Sequence, residues 1–206
     1  VLTLTDSGTL TLGAGSFYGS VWVDSAVTAT ISGCGEGPTT LHAGWGPELH
    51  PYTLLVQSEE AALHVEALTL QGSGDRDRAA FLVHYGALSL SQVTVQGWDV
   101  NSAIFDGALS LAGVTLTDNA GDHQLSAANS TLDITDSALT DSTFTYTAIN
   151  LDRGSLTMSS SVLSGLTAAT AVLSLKQVTA ALTDVLLDNN TTPAIIQSAG
   201  SEVTCD

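Results

Sequence analysis

A chain of 206 residues and 21.0 kDa has the length of one domain and can bury a sizeable core. Its mean hydropathy of +0.27 excludes a disordered chain, and 12% charged residues are too few for a coiled coil or helical bundle. Four Lys plus Arg against 21 Asp plus Glu give a charge of −17, which removes nucleic acids, anionic lipid surfaces and polyanionic glycans as partners, since each is held by neutralising its anions.

No apolar run approaches the roughly 18 residues of a membrane-spanning helix, so no membrane insertion is expected. What remains is an acidic protein that faces neutral ligands, cations or other proteins. The start at Val1, without Met, points to a processed secreted chain or a fragment.

In chain order, Val1-Leu2-Thr3-Leu4-Thr5 and Thr9-Leu10-Thr11-Leu12 flank Asp6-Ser7-Gly8. Alternation with period two is the signature of a strand with one buried face, and residues 1–20 are read as an N-terminal strand arm. Val21-Trp22-Val23 and Ala29-Thr30-Ile31-Ser32-Gly33 follow as two strands, with Gly33 at a turn and Cys34 directly after it. A loop containing Gly44-Trp45-Gly46-Pro47 leads to a third strand from Tyr52 to Val56.

From Ala62 onward one template recurs. Its first apolar residues are Leu63, Leu88, Leu109, Leu132, Leu156 and Ala180, in steps of 25, 21, 23, 24 and 24 residues. The residue two later is apolar in every copy, and five and seven residues after the anchor stand Leu68/Leu70, Val93/Val95, Val114/Leu116, Ser137/Leu139, Ser161/Leu163 and Val185/Leu187. Nine residues after the anchor stand Gly72, Gly97, Asp118, Asp141, Gly165 and Asn189. These residue types tolerate positive φ best, so this position is expected to turn the chain. A third apolar stretch completes each copy, for example Phe81-Leu82-Val83 and Ala194-Ile195-Ile196.

Three short strands per turn of about 23 residues, stacked coil on coil, make a parallel β-helix. A β-sandwich also spaces short strands closely, but it has no reason to repeat one template in register. The expected architecture is all-β, a β-solenoid of about seven coils over residues 21–200, with 201–206 as a C-terminal tail.

The Leu-x-Leu-x-x-Val-Thr-Leu-x-Gly/Asp pattern over residues 21–200 resembles the repeats of right-handed parallel β-helix proteins. It is similar to the pectate-lyase-like superfamily and to bacterial surface proteins of the polymorphic outer-membrane type. The resemblance implies a right-handed coil and says little of function, because enzymes, adhesins and phage tailspikes share this coil. Likeness to pectate lyases implies Ca²⁺ held by aspartates beside a basic residue, and Asp75, Arg76, Asp77 and Arg78 are the candidates. They read better as a solvated charged turn. The motifs that likeness to polygalacturonases would demand are absent.

Other constellations are weaker. Asp133, Asp136 and Asp141 are paired-carboxylate candidates for glycoside hydrolysis, but they read as a solvated face without a sugar platform. His42, His50, His64, His84 and His123 lack metal-ligand spacing. Asn129 and the pair Asn189-Asn190 read as turn formers. No cofactor is expected; Ca²⁺ has one conceivable place, the edge where Asp118, Asp141 and Asn189 stack. Trp45, Trp98, Phe144 and Tyr146 are the candidate platforms for a neutral glycan.

A solenoid must hide its end coils or they pair with another chain, and residues 1–20 show no helical cap. Cys34 and Cys205 are expected at opposite ends, too far apart for an internal bridge. The expectation is therefore a non-enzymatic, extracellular or cell-surface structural protein. It would assemble head to tail into filaments through open end coils, a strand Val1–Thr5 laid on a neighbour, and a Cys34–Cys205 bridge between subunits. The alternatives are an adhesin or spacer module, or a carbohydrate-active β-helix acting on a neutral polysaccharide.

Overall fold

The computed structural model describes residues 1–34, 37–43, 52–73, 79–99 and 102–206. These residues form a parallel β-solenoid of eight coils and two strands of a ninth, with no helix among them. Each coil lays down three strands in chain order, here called a, b and c. In the first coil they are Leu2–Leu4, Gly8–Leu12 and Gly15–Tyr18; in the fourth, Ala79–His84, Ala87–Ser91 and Thr94–Gln96. In coils six to eight, strands a and b run together through a bent corner as Ala120–Thr135, Thr143–Ser159 and Ala171–Thr183. The ninth coil contributes Ala194–Ala199 as strand a and Glu202–Cys205 as strand b.

The repeat anchors align in one column. Gly8, Ala29, Leu63, Leu88, Leu109, Leu132, Leu156, Ala180 and Val203 are successive partners along the b strands. Along the c strands, Phe17, Leu41, Leu70, Val95, Leu116, Leu139, Leu163 and Leu187 do the same. Parallel in-register pairing superposes like residues, so the apolar positions merge into one core running the length of the stack. Leu63, Leu70, Leu116 and Leu132 are fully buried in it.

Three expectations are corrected. Residues 1–20 are not an arm: they form the first coil, Leu2–Leu4 pairing with Val21–Val23 and Gly8–Leu12 with Thr28–Gly33. The six-residue tail is not separate either, since Glu202–Cys205 pairs with Ala171–Thr183. Both additions raise the coil count from about seven to about eight. In the second coil the strands are shifted by one place. Val21–Val23 is strand a, paired with Tyr52–Val56, and Thr28–Gly33 is strand b, paired with Ala62–Glu66. The cause is visible in the spacing: Val21 and Ala29 are eight residues apart where the template has five, and Ala29 lies 34 residues before its column partner Leu63.

The corners of the coil explain an unusual backbone feature. Among the described residues, the 13 non-glycine residues with positive φ fall into three columns. At the a–b corner they are Tyr85, Asp106, Asn129, Arg153 and Gln177; at the b–c corner, Ala67, Gln92, Asp136, Ser160 and Asp184; at the c–a corner, Asp118, Asp141 and Asn189. At these corners a left-handed residue turns the chain, and repetition of the coil imposes that conformation even on Tyr85 and Arg153. Gly97 and Gly165 share the c–a column at φ 71° and 64°. Gly33 and Gly72 do not adopt positive φ. A Cβ on Gly72 would overlap the Gly97 carbonyl, and one on Gly33 the Ala67 carbonyl, so these two glycines permit close stacking of coils.

Directly inside the corners, small polar side chains of one coil satisfy the backbone of the coil before it. The Val114 N–H donates to Ser137 Oγ at 3.1 Å, and the Ser137 N–H to Ser161 Oγ at 3.2 Å. The Trp98 N–H donates to Asn119 Oδ1 at 3.0 Å, and the Asn119 N–H to Ser142 Oγ at 3.0 Å. This is why Asn119, Ser137, Ser142 and Ser161 are buried beside leucines. Ser137 Oγ also donates to the Thr135 carbonyl at 2.8 Å. Ser137→Ala leaves that N–H and that carbonyl without this partner, and a loss of about 1–3 kcal/mol is expected in urea unfolding.

Candidate functional site

The chemistry-bearing residues are scattered by the fold. Asp133 lies on the outer face of strand b between Ser110 and Thr157, while Asp136 sits at the b–c corner and Asp141 at the c–a corner. The three carboxylates therefore occupy different faces. Asp118 and Asp141 stand in successive coils of the c–a corner, which continues through Gly165 to Asn189. Asn129 donates to Asp106 Oδ1 at 3.1 Å across the a–b corner, and Asn190 Oδ1 accepts the Leu166 N–H at 2.9 Å. Among the described residues, no group of three His, Cys, Asp or Glu side chains converges on a metal position. Asp75, Arg76, Asp77, Arg78, Trp45 and His50 lie outside the described residues.

Two of the candidate sugar platforms are core residues. Trp98 and Phe144 are 2% and 3% exposed, and the Trp98 indole N–H donates to the Leu70 carbonyl at 3.2 Å. Tyr146 stays exposed, its ring 5.8 Å from that of His123. His42 stacks on Tyr18 at 4.6 Å and His84 on Tyr85 at 4.2 Å, while His64 faces outward between Thr30 and Ser89. The two described basic side chains share one carboxylate: Asp152 receives Lys176 at 2.8 Å and Arg153 at 3.4 Å. The Lys176 hydrogen bond holds the Asp152 carboxyl below its ordinary pKa.

His123 is half-buried, with Nδ1 2.7 Å from Thr147 Oγ1. Burial lowers its pKa below the ordinary 6.5, outweighing the opposing pulls of Thr147 and Asp122. The unfolded chain then takes up a proton before the folded one. The stability this group contributes is present above about pH 6.5 and falls as pH drops below it. The stability gap between the wild type and His123→Asn is expected to shrink between about pH 7.5 and pH 5, measured by thermal melts in matched buffers.

The ends of the stack carry the most distinctive chemistry. The outer edges of Leu2–Leu4, Gly8–Leu12 and Gly15–Tyr18 have no strand upon them among the described residues. Such edges present rows of unpaired N–H and C=O groups. Between them opens a depression of about 280 Å³, lined by Leu2, Leu10, Leu12, Phe17, Ile31 and Leu41. It is the core column itself, uncovered at this end. Leu2 is 42% exposed and Tyr18 66%. At the opposite end Leu186 is 55% exposed and Ile195 38%, and Leu187, Ile196 and Val203 are only partly buried. The alternation in Val1–Thr5 and Thr9–Leu12 was a usable sequence signal for this rim. Gly15–Tyr18 carries too little alternation to be read as a strand, so the contribution of Phe17 was missed.

The strand within Val1–Thr5 is not a free arm: Leu2–Leu4 pairs along one edge within its own chain, and the Leu2 N–H donates to the Ser20 carbonyl at 2.8 Å. Only its far edge is open. The cysteines are both exposed and unbridged. Cys205 lies in the ninth coil, in register with Leu182, whereas Cys34 lies in the second, its N–H donating to the Leu12 carbonyl at 2.7 Å. In a straight end-to-end stack the neighbour's first coil separates the two thiols. Two coil steps of about 4.8 Å already exceed the ~7 Å span of a disulfide. In that arrangement Cys34 would be one coil too deep for a bridge to Cys205.

No protein-family model matches the chain, and no curated protein matches it.

Proposed function

We propose that this protein is a non-enzymatic structural module of the cell exterior that joins copies of itself end to end into filaments. One observation carries the reading: three strand edges of the first coil carry no strand among the described residues, around a depression that opens onto the leucine core. Covering it with another β-coil pairs the edge amides and removes apolar surface from water, at roughly 25 cal/mol per Å². A contact between unlike ends does not close on itself, so it propagates as a fibre. Backbone pairing and apolar burial hold the joint; no disulfide is needed.

Charge sets the conditions. Asp6 lies at one end and Asp184, Asp188, Glu202 and Asp206 at the other, so acids confront acids across the joint. Salt screens that repulsion beyond about 8 Å at physiological strength, and assembly strengthens with added salt.

Sedimentation velocity of the wild type, Leu10→Asp and Phe17→Asp tests the proposal. The wild type is expected to form larger species as concentration and salt rise. The two variants, carrying a charge in the rim, should sediment as monomers with an unchanged β circular-dichroism spectrum. A wild type that stays monomeric throughout, or variants that assemble as it does, would overturn the reading and leave a spacer or adhesin module.

A further inference from the structure

Three of the six asparagines open the pattern Asn-x-Ser/Thr: Asn129-Ser130-Thr131, Asn189-Asn190-Thr191 and Asn190-Thr191-Thr192. Asn101, Asn119 and Asn150 lack a hydroxyl residue two places on. The pattern is the acceptor motif for N-linked oligosaccharide, a modification of surface segments in secreted chains. The motif is short, so the fold decides which copies can carry a sugar.

The coil separates the three. Asn129 stands at the a–b corner and Asn189 at the c–a corner, each at φ 51°. Both are exposed, and their amides lie along the outside of the stack. Asn129 Nδ2 donates to Asp106 Oδ1 at 3.1 Å, and Asn189 Nδ2 to Asp188 Oδ2 at 2.7 Å, both partners being exposed carboxylates. An amide nitrogen that bears a sugar keeps one N–H, so these bonds are compatible with the modification. Thr131 and Thr191, which complete the two motifs, are exposed as well.

Asn190 is the opposite case. Its Oδ1 accepts the Leu166 N–H at 2.9 Å and its Nδ2 donates to the Leu163 carbonyl at 2.8 Å. Asn119 makes the same pair of bonds, to the Trp98 N–H and the Val95 carbonyl, at 3.0 Å each. It follows the corner residue Asp118 as Asn190 follows Asn189, and it is 3% exposed. Both asparagines fill the inside of the c–a corner, and a sugar on Asn190 Nδ2 would collide with the coil below.

We infer that Asn129 and Asn189 are acceptor sites for N-linked oligosaccharide and that Asn190 is not. The donor is an oligosaccharide carried on a polyprenyl diphosphate. A bond forms from Asn Nδ2 to the anomeric carbon of the first sugar. The bond from that carbon to the diphosphate oxygen breaks, the diphosphate leaves with the electron pair, and Nδ2 gives up one proton. No oxidant or reductant takes part. The inference rests on the exterior part of the proposed function and is independent of end-to-end assembly.

Mass mapping after peptide N-glycosidase digestion tests it, since that enzyme leaves Asp wherever an Asn carried a sugar. The material is the chain isolated from the cells that make it, together with the wild type, Thr131→Ala, Thr191→Ala and Thr192→Ala secreted from a eukaryotic host. Thr131→Ala removes only the Asn129 motif. Thr191→Ala removes only the Asn189 motif, because Asn190 keeps Thr192, and Thr192→Ala removes only the Asn190 motif. The native chain and the secreted wild type are expected to carry two sugars, Thr131→Ala and Thr191→Ala one each, and Thr192→Ala two. Mapping of the wild type alone assigns the sites if a variant is not secreted. A sugar-free chain from either source, or a sugar on Asn190, overturns the inference. A native chain found outside the cell without sugar leaves the exterior reading standing; one found only inside the cell brings down both.

Discussion

Leu111→Ala is expected to destabilise the chain by about 2–5 kcal/mol. Leu111 is 1% exposed and stands in the b column between Leu90 of the coil below and Ile134 of the coil above. The size of the effect follows from the architecture. A solenoid coil is held by its two neighbours alone, and the backbone ladders above and below keep the coils at a spacing of about 4.8 Å. The side chains around a truncated leucine therefore cannot close the hole by moving the strands together. The cost is the lost transfer energy plus the cavity. Ser110→Ala, one residue away on the outer face, makes the control, since surface changes stay within about 0.5 kcal/mol. Urea unfolding checks both: the midpoint should fall for Leu111→Ala at an unchanged slope and hold for Ser110→Ala. A Leu111→Ala midpoint equal to that of the wild type would contradict the continuous core.

Gly154→Ala is the second large effect. Gly154 has φ 131°, and a Cβ there would overlap the backbone of Ser130 in the preceding coil. Its strand, Thr143–Ser159, is paired on both sides, by Ala120–Thr135 and by Ala171–Thr183, so it cannot shift to make room without breaking a ladder. Strain of about 1–3 kcal/mol is expected from the dihedral alone, with the clash in addition. Gly113→Asn provides the contrast. Gly113 sits at φ 63° in the b–c corner, with nothing nearer than 3.9 Å to a new Cβ, and Asp136 and Ser160 occupy the same column at φ 49°. Asn tolerates that conformation, so Gly113→Asn should melt close to the wild type while Gly154→Ala melts well below it.

The body of the solenoid was legible because its corners have fixed length. From Leu63 to Ala180 the corners are short and of similar length, so the leucine template repeats every 21 to 25 residues and its anchors pair as read. The second coil was misread where that rule lapses, since longer connections follow Gly33 and His42 and break the spacing. Only the c–a corner could be recognised from residue types, because Gly, Asn and Asp fill it. The other two corners hold Ala67, Tyr85, Gln92, Arg153, Ser160 and Gln177, for which stacking overrides local preference. The buried serines and asparagine inside the corners keep the repeat spacing, but their residue types do not announce burial, as their role depends on the N–H groups of a neighbouring coil. The end rim was half visible, in the alternation of Val1–Thr5 and Thr9–Leu12. That these strands close a coil of their own depends on pairing with residues 21–33, which alternation does not encode.

Cryo-electron microscopy of the 206-residue chain, concentrated at physiological salt, tests the central claim most directly. The account predicts unbranched filaments one solenoid wide, with the strand spacing of about 4.8 Å running along the filament axis. Dispersed single particles under the same conditions would contradict it.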